Sequence, residues 1–312
     1  MVKLFVIAVT GRCNLSCRYC YASKNTGKYG DMSWDTAESI LKFIKKQNKE
    51  NSHMFLVQFT GGEPLLNLPL IERFVKESRK EGLSCIFQIQ TNGTLLNDIN
   101  ISKLKNLDIG IGVSIDGVPE VNDIMRPYRN RCSRSSTVDV LKGMELLKES
   151  GICVNVTSVL TKKSLLNLNK FIDLVYYIGN VKGISFNVLR PTGNAFDMSV
   201  PSEEEIALNV KAALKRADMH EKITNRTITF KFLERLKKYG YREECRTFNG
   251  NSIFINPNGE VYPCPSLAGQ EDFYIGNIMD EDFQIKTYIG KCPYIQQCRM
   301  LDRIFCFSHG YT

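Results

Sequence analysis

Cys13, Cys17 and Cys20 fall within one short stretch, Cys-Asn-Leu-Ser-Cys-Arg-Tyr-Cys, and their types and spacing raise the first chemical question of this chain. Cysteine thiolates are the usual ligands of iron–sulfur clusters, and this spacing suits three irons of a [4Fe–4S] cluster whose fourth iron keeps no protein ligand. Chemistry happens at such an open iron. A zinc site or a redox pair is the alternative for the triplet alone, although zinc knuckles rarely space three cysteines this way. Further candidates stand at the ends of apolar runs. Phe59-Thr60-Gly61-Gly62-Glu63-Pro64 combines two glycines, which let backbone approach a ligand, with a carboxylate that accepts from an ammonium; taken singly it also reads as a plain turn. Gln90-Thr91-Asn92-Gly93 and Val113-Ser114-Ile115-Asp116-Gly117 bring hydroxyl, amide and carboxylate to strand ends, with turn capping as the alternative use of each.

These groups need a scaffold that presents them together. The run from Leu4 to Thr10 is short, apolar and β-branched, which predicts a buried parallel strand with the cysteines in the following loop. Strands are predicted near 3–9, 54–59, 84–90, 109–115, 152–159 and 183–189, alternating with helices near 34–48, 68–81, 98–106, 134–150 and 164–178. Six such β-α units predict an α/β fold with a parallel sheet, and strand C-termini form the reactive face of α/β barrels. Ser33 is a candidate helix N-cap ahead of an acidic first turn. After Pro191 the pattern changes: an acidic start at Ser202 opens one helix, and a second is predicted over about 226–239, together a helical bridge. From about 243 the composition shifts to Cys, Asn, Gly and Pro, as in a small domain held by metal, with Asn256 to Cys264 reading as a hairpin.

The 312 residues, 43% hydrophobic and 24% charged, suffice for one barrel-sized domain and a small appended one. No apolar stretch approaches the roughly 18 residues of a membrane span, so no membrane partner is expected. The apolar start is also too short for a secretory signal. Without one, 11 cysteines argue against a disulfide framework and for iron–sulfur ligation in a reducing cytoplasm. The net charge of +8, from 41 basic against 33 acidic residues, is scattered over helical stretches and reads as solvated faces. An acidic peptide partner is compatible with it, and no basic-aromatic groove points to nucleic acid.

Cys13-x3-Cys17-x2-Cys20, with Tyr19 before the last cysteine and Gly61-Gly62-Glu63-Pro64 following in order, strongly resembles the radical S-adenosylmethionine (SAM) superfamily. The resemblance implies a partial (β/α)6 TIM-like barrel in which the three cysteines hold the SAM-binding cluster and Gly61, Gly62, Glu63 and Pro64 surround the amino group of the methionine moiety. It places Thr91 and Asn92 at the next strand end, and Ser114 and Asp116 toward the ribose and sulfonium. Asn122-Asp123-x2-Arg126 resembles the His-Asp-x2-Arg stretch of the sulfatase-maturase and peptide-modifying branch, which puts Arg126 near the SAM carboxylate, with Asn122 in place of the usual His. The stretch from Asn187 to Gly193 resembles the sixth strand end of that branch, where backbone at Leu189 meets adenine.

Toward the C-terminus, Cys245-x13-Gly259-x4-Cys264, then Cys292-x5-Cys298 and Cys306, resemble the auxiliary-cluster domains called SPASM and twitch. Ile289 stands where that pattern has a further cysteine, leaving five, too few for two fully ligated four-iron clusters. One auxiliary [4Fe–4S] cluster is expected on Cys245, Cys264 and two of Cys292, Cys298 and Cys306, with a structural zinc site as the alternative. The implied organisation is a barrel over 1–195, a helical bridge over 196–242 and a small C-terminal iron–sulfur (twitch/SPASM-like) domain over 243–312. Cys85 and Cys153, inside strand patterns, are expected to be small apolar core residues. Cys132, among arginines, reads as an idle loop thiol or as a hydrogen-atom donor with a lowered pKa. His53, His220 and His309 fall in no ligand spacing.

In this family SAM is cleaved reductively to a 5′-deoxyadenosyl radical that removes a hydrogen atom from the substrate; the cofactor carries the hard chemistry, and the protein excludes water and aims one C–H bond. An electron donor of flavodoxin or ferredoxin type is implied. The likeness to peptide-modifying enzymes implies a peptide or protein substrate, first of all a ribosomally made peptide receiving a cross-link, thioether or epimer. Anaerobic sulfatase maturation, disfavoured by the short cysteine set, and small-molecule dehydrogenation are the enzyme alternatives. A non-catalytic iron–sulfur carrier or SAM sensor is the rival of another class; the open-iron triplet beside Glu63, Ser114 and Asp116 stands against it. No separate leader-binding domain is expected ahead of residue 1.

Overall fold

The computed structural model describes residues 2–23, 28–50, 54–130, 133–242, 244–245, 250–285 and 291–306. Six strands, β1 (Leu4–Ala8), β2 (Phe55–Thr60), β3 (Cys85–Thr91), β4 (Ile109–Ser114), β5 (Val154–Leu160) and β6 (Val181–Val188), pair in parallel and in sequence order. The helices α1 (Trp34–Glu50), α2 (Leu68–Lys80), α3 (Asp98–Asn106), α4 (Pro119–Met125), α5 (Ser136–Glu149), α6 (Lys162–Leu165) and α7 (Leu168–Ile178) lie in the connections. The C-terminal part adds α8 (Glu203–Thr224), β7 (Thr229–Phe230), α9 (Lys231–Tyr239), β8 (Ser252–Ile255), β9 (Glu260–Tyr262), β10 (Gly276–Asn277) and α10 (Ile295–Phe305). All ten strands form one sheet, ordered β10-β9-β8-β1-β2-β3-β4-β5-β6-β7, the open sheet of a partial TIM-like barrel.

Register explains the barrel's two-faced character. Ile7, Phe59, Ile89 and Ile111 stand side by side on successive strands, and all are buried against the helices. One residue out of phase, Gln58, Gln88 and Gly110 form the adjacent row and face the interior, because successive side chains of a strand point to opposite faces. Only β1 is apolar throughout. The others alternate because the inside of this barrel is a cavity with polar walls rather than a packed core, and this alternation departs from the continuous buried strands that β1 suggests.

Helix starts follow local capping. Ser33 Oγ accepts from the Thr36 N–H at 3.1 Å, as expected, and Ser202 with Glu205 forms a capping box at the start of α8. The helix predicted over 164–178 is two helices, since Thr161 and Ser164 cap a short α6 and Asn167 breaks from it with φ −116° and ψ 16°. The second bridge helix starts only at Lys231, because Thr229 and Phe230 extend along β6 as β7. The hairpin after Asn256 is present, and its strand β8 lies parallel to β1, so the C-terminal region continues the barrel sheet.

One apolar core runs through both parts, from Phe5 and Ile7 to Ile253, Ile255 and Phe305. Phe5 is fully buried between Phe43 and Phe55, with ring centroids 6.3 and 5.9 Å away. Behind it α9 and α10 are joined by Asp302, 2% exposed, which accepts from Arg235 at 2.6 and 2.9 Å and from Arg299 at 3.0 Å. Among the described residues no helix is long and apolar enough to cross a membrane. Truncation of Phe5→Ala is expected to cost about 3–5 kcal/mol, read as a lower denaturant midpoint at unchanged slope.

Candidate active site

The cysteine loop has little regular structure of its own and is held from three sides. On the first, Gly62 and Glu63 donate their N–H groups to the carbonyls of Thr10 and Arg12, both at 2.8 Å. Side chains do not fit there: a Cβ on Gly61 would lie 2.3 Å from the Thr10 oxygen, and one on Gly62 2.0 Å from that of Arg12. Gly61 also has φ +141°, which disfavours any other residue. The two glycines therefore serve close packing against the cysteine loop. On the second side, Ser16 and Arg18 donate to the carbonyls of Pro127 and Met125, and Arg129 reaches the Cys13 carbonyl at 3.1 Å. On the third, Asn194 bonds the carbonyls of Cys20 and Cys17, each at 3.0 Å.

Cys13, Cys17 and Cys20 consequently line one cavity of about 890 Å³, together with Gly61, Gly62 and Asn92. Burial is the main cause that pushes the Cys13 and Cys17 thiols up to about 12, with Cys20 among the further causes. Among the described residues no three His, Cys, Asp or Glu side chains are gathered around a single ion. Three cysteines converging on one cavity do suit a cluster, whose ligands sit on different irons, and binding it would release their protons. Cys153, the remaining cysteine on this cavity, stands just before β5, at the other end of the strands; it is exposed, which corrects its expected place in the core. Cys85 is half-buried and packs against the core. Cys132, Ile289, His53 and His309 lie outside the described residues. His220 pairs with Asp173 at 2.6 Å and stacks on Tyr176, away from the cavity.

Two buried carboxylates behave differently. Glu63, fully buried behind the cavity wall next to buried Pro64, accepts from the Leu65 N–H at 3.1 Å, the Thr91 hydroxyl at 2.6 Å and the Asn92 N–H at 2.7 Å. These neutral donors only partly offset burial, which lifts its pKa from 4.5 to about 7. A carboxylate has about four acceptor sites, so one stays open on Oε2. Asp116, 1% exposed, has none open: Oδ2 accepts from the Tyr19 hydroxyl and from Arg126 Nε at 2.9 Å, and Oδ1 from the Val159 N–H at 2.9 Å and Arg126 Nη2 at 3.5 Å. Asp116 is not among the residues that line the cavity; it positions Arg126 and Tyr19, which do line it. Burial opposes the Arg126 charge, but Asp116 more than compensates and keeps the guanidinium protonated. Asn122 holds the same network from behind, accepting the Asp116 N–H at 3.0 Å. Ser114 lines the cavity and accepts from Gln90 at 2.8 Å, and Leu189 borders it at the end of β6.

A second sulfur group forms near the first. Cys245, Cys264, Cys292 and Cys298 act on one another's thiols; burial is the main cause that raises those of Cys264, Cys292 and Cys298, the second of them to about 12. Cys306 does not join them. It sits in the apolar core at the far end of α10, its thiol donating to the Arg303 carbonyl at 3.1 Å, so the expected choice among three cysteines falls on Cys292 and Cys298. Residues not singled out in the sequence also shape the site: Arg129, Asn194 and Arg190, whose Nη1 donates to Ser266 Oγ at 2.7 Å. The short spacing from Arg126 to Arg129 is the available signal for the first, Arg190 stands inside the Asn187–Gly193 stretch at the sixth strand end, and Asn194 directly follows it.

A single cavity reached by a cysteine triplet, with a second cysteine group close by, defines an iron–sulfur enzyme of the radical SAM class. Residues 7–175 match the radical SAM superfamily and residues 245–286 the iron-sulfur cluster-binding domain called SPASM, so the chain belongs to the radical SAM superfamily. Its cofactors are accordingly SAM and iron–sulfur clusters. An uncharacterised protein of Methanocaldococcus jannaschii is 37% identical over 284 residues, 90% of each chain. A cysteine-type anaerobic sulfatase-maturating enzyme of Clostridium perfringens is 29% identical over 344 residues, covering 96% of this chain and 88% of that enzyme. The fold is that of the solved native anSMEcpe with bound AdoMet and Kp18Cys peptide, at TM-score 0.74 and 22% identity over 95% of this chain and 88% of that one.

The raised pKa of Glu63 carries a pH signature. Between about 4.5 and 7 the folded protein keeps a proton that the unfolded chain has lost, so this group lowers stability as pH rises through that window, by roughly 3 kcal/mol at its upper end. In the cofactor-free protein, Glu63→Gln is expected to flatten the fall in denaturant midpoint from pH 5 to pH 7.5; an unchanged profile would show that Glu63 titrates normally.

Proposed function

We propose that this radical SAM enzyme modifies a peptide or protein, and that its substrate lies in the cavity between the two sulfur groups. The observation that carries this reading is the continuity of the cavity: it runs from Cys13, Cys17 and Cys20 past Tyr21 and Arg190 to Pro265 and Ser266, immediately after Cys264. Its volume, about 890 Å³, is near the upper end for small-molecule sites and leaves space beside SAM. In this reading Cys13, Cys17 and Cys20 hold the SAM-binding cluster. Glu63 takes the SAM ammonium on its open Oε2, with Gly61, Gly62 and Asn92 around it. Ser114 serves the ribose, and backbone at Leu189 the adenine. Cys245, Cys264, Cys292 and Cys298 hold one auxiliary cluster. When bound, SAM and its cluster supply reductive cleavage and hydrogen-atom abstraction; the chain orients the substrate and keeps water from it.

Interior walls of amides and hydroxyls, among them Gln58, Gln88, Asn155 and Ser185, match the hydrogen-bonding groups of a peptide. The sulfatase-maturing relative and the peptide in the solved anSMEcpe structure support the same substrate class. Within it we favour a ribosomally made peptide, because four grouped C-terminal thiols complete one cluster and not two. Maturation of a sulfatase is the second reading and rests on the Clostridium perfringens relative. An external low-potential donor and a reducing compartment complete the proposal.

Anaerobically reconstituted protein given dithionite and SAM is expected to release 5′-deoxyadenosine, and Cys13→Ala to release none. A candidate peptide should then lose two hydrogens, as in a cross-link, or exchange one with solvent, as in an epimer, by mass analysis. Absence of product from iron-replete protein, with and without peptide, would refute the reading.

A further inference from the structure

Arg190 stands between the two sulfur groups, and among the described residues no carboxylate pairs with it. Arg190 follows β6 and lines the cavity, and its Nη1 donates to Ser266 Oγ at 2.7 Å. The same loop is pinned a second time, Thr192 Oγ1 donating to the Ser266 carbonyl at 3.3 Å. Ser266 lies two residues past Cys264, so these bonds seat the guanidinium against the C-terminal cysteines. Tyr21, which follows Cys20, lines the same cavity on the other side. Among the described residues Arg190 makes no ion pair with an acid, so its charge is not cancelled locally.

We propose that Arg190, aimed by Ser266, is a positioning residue that raises the reduction potential of the auxiliary cluster. The inference rests on the proposal that Cys245, Cys264, Cys292 and Cys298 hold that cluster. Reduction adds one electron, hence one negative charge, to a site already rich in thiolates. A partly buried cation nearby stabilises the reduced form more than the oxidised one, and net charge and hydrogen bonding are the protein's main means of tuning such potentials. In place beside the cavity, the charge makes the auxiliary cluster the better electron acceptor for a substrate held between the two groups.

The test uses the full-length chain with Cys13, Cys17 and Cys20 all changed to Ala, reconstituted anaerobically so that only the C-terminal cluster remains. Iron and sulfide are counted first, and the cluster is then titrated with dithionite and mediators under electron paramagnetic resonance. At the parent's midpoint, Arg190→Gln is expected to lower the ratio of reduced to oxidised cluster about tenfold, about 59 mV for one electron. Arg190→Lys should stay near the parent, and Ser266→Ala should shift in the same direction as Arg190→Gln but less. A full iron complement with an unmoved potential in Arg190→Gln overturns the inference, as do equal shifts in the Gln and Lys variants. Should Arg190→Gln fail to assemble its cluster, a parental potential in Ser266→Ala overturns it instead. An iron-free triple variant would refute the ligand assignment itself, before any potential is read, and this inference with it.

Discussion

Three sulfur atoms have to be held in fixed relation by a loop that has almost no regular backbone structure, and the architecture of the site answers that demand. Fixing backbone costs roughly 1–2 kcal/mol per residue, so an irregular loop needs partners for its own N–H and C=O groups. Here the partners come from three separate segments. The turn after β2 reaches Thr10 and Arg12, the segment after α4 reaches the backbone from Asn14 to Arg18, and the loop after β6 reaches Cys17 and Cys20. Two of the straps begin at strand ends, after β2 and β6, and the third follows α4, so the loop is tied to the sheet and to its α4 connection.

The same arrangement sorts the buried charges. Asp116 has a permanent cation in Arg126, with a tyrosine hydroxyl and a backbone N–H filling its other acceptor sites. Glu63 has neutral hydrogen-bond donors and only a more distant influence from Arg126, and burial dominates them. A carboxylate left near half-protonation at neutral pH, with one acceptor site unused, is stabilised in its charged form by an arriving ammonium, whereas a carboxylate already paired gains little. The two acids follow β2 and β4, and they differ in whether an acceptor site stays open.

How much of this was legible in the sequence depended on whether the determining contacts are local. The cysteine triplet, the Gly-Gly-Glu-Pro turn and the β-α alternation are local patterns, and the six barrel strands lie within a few residues of their expected positions, whereas α4 and α10 carry no expectation in the sequence reading. Part of the surroundings of Asp116 is not legible locally: Val159, whose N–H it accepts, lies 43 residues away and becomes a neighbour only through β4–β5 pairing. Gly61 and Gly62 were correctly marked as points of close approach, but the approach is to the Thr10 and Arg12 carbonyls. Cys306 could not be separated from Cys298 by spacing, because the choice depends on α10, which sets them about 12 Å apart along its axis. Cys153 was taken for core because its strand alternates, and alternation alone does not say whether the inner face meets side chains or a cavity.

The pairing of β8 with β1 has a consequence for the second sulfur group. A small metal-held segment joined by a flexible bridge would meet the barrel through side chains alone, and the distance between the two sulfur groups would vary with that contact. Here Leu4 to Ile7 run in register with Ser252 to Ile255, and Cys264 follows directly on the return strand β9. The first cysteine loop leaves the same strand β1 at its other flank. The first cysteine loop and Cys264 are therefore both tied through backbone hydrogen bonds to β1. A substrate bound between them would meet two redox-capable walls at a separation that the sheet itself sets, and a substitution at the β1–β8 seam would disturb both groups together.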